Sequence, residues 1–158
     1  MSTPETRPEE RLAELGLELP KPAAAAANYV PFVISGNQIF IAGQIPFLNG
    51  EKLHIGRVGD TLTVEQGQEA AKACALNILA QAKEAVNGDW SRIVRCVKLG
   101  GFVNATPAFD QHPAVINGAS GIMVAALGDI GRHARFAVGA SNLPFGVAVE
   151  IDAVFEIK

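Results

Sequence analysis

An α+β domain, with one β-sheet covered on a single face by two helices, is the fold class this sequence predicts. Three observations carry it. The chain has 158 residues, enough for one core that buries about 70% of the surface exposed by the unfolded chain. Its hydrophobic pattern switches between a period of two and a period near 3.6, in the order β-β-α-β-α-β-β. The last segment, residues 146–158, sorts without exception into two faces: Val147, Val149, Ile151, Ala153, Phe155 and Ile157 on one, Ala148, Glu150, Asp152, Val154, Glu156 and Lys158 on the other. The first face must meet the helices. The second mixes charge with Ala and Val, so it can meet other subunits.

Residues 1–27 precede the domain, which spans 28–158. They hold a short charged helical pattern, EERLAELGLEL, and a Pro-flanked alanine run, KPAAAAA, which reads as a connector. YVPFVISGNQIFIAGQIP then gives two apolar runs around Gly36-Asn37, a hairpin signal. FLNGEKLHIGRVGDTLT is glycine-rich and reads as a loop. Thr63 and Gln66 have capping-box spacing before a long amphipathic helix that starts near residue 64 and ends by Gly88, with Val64, Ala71, Cys74, Ile78, Ala82 and Val86 on one face. IVRCVKLGGFVNA reads as a strand. A second helix opens near Pro113 and stops at Gly128, and ARFAVGA and GVAVEIDAVFEIK supply the last two strands.

Composition removes several function classes. The net charge is -3 and no run of Lys or Arg could track phosphates, so nucleic-acid binding is not expected. Cys74 and Cys96 lack CxxC spacing and read as buried thiols of a reducing, cytosolic protein. The start is acidic with no apolar h-region, and about 18 apolar residues never run together, so neither a signal peptide nor a membrane span is expected. Apolar residues make up 49% and charged residues 18%, a balance that hints at subunit contacts. His54, His112 and His133 are scattered and receive no role. Gly56 and Gly59 lack the strand-then-helix setting of a dinucleotide fingerprint, and Ser91, Ser120 and Ser141 lack that of a nucleophile elbow.

Arg135 and Glu150 remain, each among small and branched apolar residues. Either they are solvated charges on the polar side of two strands, or they are a carboxylate clamp and a base facing one pocket. Their surroundings carry a resemblance. AGQIP after the first hairpin, and an Arg followed eight residues later by Leu-Pro and fifteen residues later by Glu-Ile-Asp-Ala, resemble the YjgF-like or Rid family, the reactive intermediate deaminases, from about Tyr29 to Lys158. The resemblance implies a chorismate-mutase-like fold, a homotrimer with ligand clefts between subunits, no cofactor or metal, and hydrolysis of reactive enamines and imines to 2-oxo acids and ammonia. It places Arg135 at the substrate-carboxylate position and Glu150 where a glutamate orients the attacking water. Tyr29, Gly43, Asn117 and Ala137 fall at substrate-binding positions. The stretch GDIGRHA before the arginine is longer than in the best-studied deaminases, Ala137 replaces a frequent cysteine, and Ala42 replaces a common serine.

The chemistry suits those residue types. A guanidinium binds a carboxylate bidentately, which a lysine does not. A carboxylate in a partly dry cleft gains a pKa closer to neutrality and can take a proton from water. Two other readings stand beside deamination: a non-catalytic trimer that binds small carboxylate metabolites or regulates through its surfaces, and an endoribonuclease, which the acidic charge disfavours.

Overall fold

The computed structural model describes residues 7–25 and 27–158. The predicted element order is present. A hairpin of β1 (Phe32–Ser35) and β2 (Gln38–Gln44) turns at Gly36-Asn37, and the long helix α2 (Val64–Ala85) follows. Then come β5 (Ile93–Asn104), α3 (His112–Leu127), β6 (Ala134–Ala140) and β7 (Val149–Ile157). Besides short 3-10 turns, one strand pair is new: within the expected loop, β3 (Phe47–Leu48) and β4 (Glu51–Lys52) form a small separate hairpin. Two residues per strand leave too little periodicity to read.

The five-stranded sheet runs β1-β2-β7-β5-β6. All pairs are antiparallel except β5 with β6, the pair that α3 bridges. The chain's last strand therefore lies at the sheet's centre. Its inward residues Val149, Ile151, Ala153, Phe155 and Ile157 are all buried, as the alternation requires, and so is Val147 just ahead of the strand. Each large side chain removed from water in this way contributes roughly 1.5–3 kcal/mol. Ala148 departs from the expected outer face and is also buried, because β7 begins only at Val149 and Ala148 precedes it, its carbonyl accepting from the Asn104 amide.

Thr63 caps α2 as predicted: its hydroxyl accepts from the Gln66 amide at 3.1 Å, and the Gln66 side chain accepts from the Thr63 amide at 2.9 Å. Nearly all of α2 beyond its first turns is buried, including Asn77 and Gln81. Such amides are tolerable only if paired. Asn77 donates to the carbonyls of Ile45 and Phe47, and Gln81 to that of Ala23 at 2.8 Å. α3 together with the 3-10 turn that follows it, His112–Gly131, is long and apolar enough to cross a membrane by composition, yet seven residues of α3 are buried within the protein, which accounts for its apolarity as a core helix.

The N-terminal extension lies against this body. α1 spans Pro8–Glu14 and stops ahead of Gly16, shorter than the charged pattern suggests. Leu12 is fully buried. Glu9 receives the Trp90 indole N–H at 2.8 Å and pairs with Lys83 at 3.0 Å. Burial alone would raise the Glu9 carboxyl, but the bonds from Lys83, its own main chain and Trp90 hold it below its ordinary value.

Candidate active site

Glu150 lies on β7 between buried Val149 and Ile151, so its side chain leaves the sheet on the face away from the helices. Opposite it, β2 carries a bulge: pairing with β7 shifts register between Ile41 and Gln44, which puts Ala42 and Gly43 into the irregularity. A β-carbon on Gly43 would stand 3.0 Å from Glu150 Cδ and would overlap the carboxylate itself. Absence of a side chain at 43 is therefore what makes room for the acid. Glu150 is half-buried, and its carboxyl is raised above the ordinary value, first by burial and then by the charge of Asp152 on the same strand face.

Beside it opens a cavity of about 660 Å³. Glu150, Gly43 and Tyr29 all line it, together with Gln44, Lys52, Phe145 and the alanines of the extension. Three of the six expected site residues thus meet there.

The other three meet elsewhere. Arg135 on β6 is in register with Leu99, a fully buried residue of the helix-facing side. Its guanidinium lies on α3: Nη1 donates to Asn117 Oδ1 at 2.9 Å and to Ser120 Oγ at 3.1 Å, and Nη2 to the Pro113 carbonyl at 3.4 Å. Ala137 follows two residues along the same face, packed against the core. Arg135 and Glu150 therefore sit on opposite faces of the sheet, with β5 between their strands. One chain does not bring them to a common point.

Ser120 and His133 are site residues that sequence reasoning missed. His133 Nδ1 is 2.7 Å from the Gly131 carbonyl and Nε2 is 2.8 Å from Ser120 Oγ. A carbonyl only accepts, so Nδ1 carries the hydrogen and Nε2 accepts from the serine hydroxyl. That hydroxyl in turn accepts from Arg135. Burial lowers the His133 pKa, and the Arg135 charge lowers it further against the opposing pull of the Gly131 carbonyl. The available signal was the stripe Pro113, Asn117, Ser120, which presents one face of a helix at spacings of four and three. Among the described residues, Arg135 pairs with no carboxylate and no group of three or more metal-ligating side chains gathers.

The family model described as "YjgF/chorismate mutase-like, putative endoribonuclease" matches residues 9–154. The chain belongs to the YjgF-like, or Rid, family. The match begins inside the N-terminal extension, earlier than the motifs alone suggest. Protein TCP17 of Trypanosoma cruzi is 47% identical over 148 residues, 93% of this chain and 92% of that protein. Among solved structures, the protein Atu1372 of Agrobacterium tumefaciens is 51% identical with a TM-score of 0.90, over 96% of this chain and 94% of that one. A "putative endoribonuclease" of Shewanella oneidensis is 36% identical with a TM-score of 0.92, over 96% and 100%. The mixed sheet with its helices on one face is the YjgF-like fold.

Proposed function

We propose that this YjgF-like protein hydrolyses 2-imino acids, or the enamines that tautomerise to them, to 2-oxo acids and ammonia, in clefts formed where Arg135 of one copy faces Glu150 of another in a homotrimer. The observation that carries the reading is Arg135: half-buried, held by Asn117, Ser120 and the Pro113 carbonyl, and without a carboxylate partner among the described residues. An oriented guanidinium of this kind is suited to a substrate carboxylate, bound bidentately. A second copy supplies what one chain keeps on its other face. The outer face offers it an apolar surface, since Val33, Phe40, Phe102 and Val138 are large, exposed and spread over four strands.

With the carboxylate on Arg135, the imine carbon comes to the neighbouring Glu150. The carboxylate takes a proton from water as the oxygen adds to the C=N carbon, and the nitrogen gains a proton. The carbinolamine then loses ammonia as its hydroxyl proton departs, leaving the 2-oxo acid. Raised above its ordinary value, the Glu150 carboxyl takes up and holds that proton more readily than an exposed glutamate would. Positioning does much of the rest, since the reaction proceeds slowly without a catalyst. Cleavage of RNA finds little support in a chain of net charge -3.

The test is complementation. Imines are generated in place by an amino-acid oxidase and release of 2-oxo acid is followed. Arg135→Ala and Glu150→Gln should each fall to the uncatalysed rate. Unfolded together at equal amounts and refolded, they should recover about a quarter of wild-type activity, the share of clefts that receive both native residues by random assortment. No recovery would place both residues' work within one chain. A wild type no faster than buffer would overturn deamination, and retained 2-oxo acid binding would then select the non-catalytic trimer.

A further inference from the structure

We infer that the N-terminal extension is a wall of the substrate cavity, and that it selects imines whose side chain is large and apolar. The inference rests on the proposed deamination and deepens it. If the carboxylate lies on Arg135 of one copy and the imine carbon at Glu150 of the next, the third substituent of that carbon is left to the space beside Glu150 on its own chain. That space is the 660 Å³ cavity, within the roughly 300–1,000 Å³ range of ligand pockets.

The chemistry of its walls is apolar. The extension contributes Ala23, Ala24, Ala25 and Ala27, and Phe47 and Phe145 contribute aromatic rings. Glu150, a carboxylate on the cavity wall, opposes a second negative charge on the side chain. Lys52 also lines it, but its ammonium is 4.8 Å from the centre of the Phe145 ring and exposed to solvent, so it is already accommodated.

The wall is anchored. Gln81, almost wholly buried on α2, donates to the Ala23 carbonyl at 2.8 Å, and a buried amide that lost this acceptor would be left unpaired. Upstream, Leu12 is fully buried, and Leu17 and Leu19 pack on the core. The alanines are thus carried by a segment docked upstream of its connector and tied again at Ala23, with side chains small enough to leave the cavity open.

The experiment compares leucine-derived with alanine-derived imine, each generated by an amino-acid oxidase, for the full-length wild type, Ala25→Phe, which fills the cavity, and Gln81→Leu, which releases the wall. The wild type should favour the leucine imine in kcat/KM by fivefold or more, and each variant should reduce that ratio at least fivefold. A wild-type preference for alanine imine, or a ratio that neither variant changes, overturns the inference while leaving deamination standing. If no imine is turned over, deamination fails, and binding of 4-methyl-2-oxopentanoate against pyruvate, by calorimetry, decides the cavity separately: tighter binding of the larger acid that Ala25→Phe abolishes upholds it, and equal binding overturns it. Circular dichroism of both variants establishes that they fold.

Discussion

Replacing Ser120 by alanine removes one hydroxyl that serves two neighbours. In the wild type it donates to His133 Nε2 at 2.8 Å and accepts from Arg135 Nη1 at 3.1 Å. Without it the imidazole nitrogen loses its donor and the guanidinium keeps only Asn117 and the Pro113 carbonyl. An unsatisfied polar group costs about 1–3 kcal/mol when buried, and His133 is half-buried, so the low end, about 1 kcal/mol, applies. For a chain of this size that corresponds to a fall in Tm of about 2–4 °C. Acidity distinguishes this mechanism from general loss of packing. The fold lowers the His133 pKa, so the neutral imidazole's contribution is complete above its ordinary value near 6.5 and is lost as pH falls through the lowered folded value. Thermal unfolding at about pH 8 and about pH 5 should therefore show the Ser120→Ala deficit shrinking in acid. Ser120→Thr, which keeps the hydroxyl, should restore most of it. A deficit of the same size at both pH values, or none at either, would refute the hydrogen-bond chain.

Glu150→Gln should be more stable than the wild type near neutral pH: the folded carboxyl is raised, so its favourable contribution is complete below the unfolded pKa and lost as pH rises through the folded one, and the two Tm curves should converge in acid. Gly43→Ala should cut kcat/KM for imines tenfold or more with the fold retained by circular dichroism, because the new methyl occupies the space of the Glu150 carboxylate. Thr63→Ala removes the capping box of α2 and should lower Tm by about 2–4 °C, for a cost of about 1 kcal/mol. Cys74 and Cys96 should resist a thiol reagent until the protein unfolds, since burial pushes the first thiol well above its ordinary value and the second up to about 12.

Most of the fold was legible because its signals are local. The period-two faces of β7, the Thr63–Gln66 box and Gly128 after α3 each report on a few residues whose conformation neighbours do not override. The hairpin of β3 and β4 was not, since two-residue strands carry no period. Of the site, the side-chain types at 135 and 150 were readable, but their placement on opposite faces was not: it depends on the register of both strands against β5, which sets Arg135 level with buried Leu99 and Glu150 level with exposed Phe102. Ser120 and His133 were passed over because an ordinary serine and a lone histidine gain meaning only when the fold joins them to each other and to Arg135.

The separation of Arg135 and Glu150 by the thickness of a sheet also bears on dosage. No hinge or loop motion carries a side chain through a hydrogen-bonded sheet, so under the proposed deamination each chain would lend one half of a catalyst and borrow the other. Dilution below the assembly threshold would then act as an off-switch without any ligand. In a mixed population a chain lacking both residues would spoil two clefts, one through each face, so a minority of such poisoned chains would cost more activity than their numbers suggest.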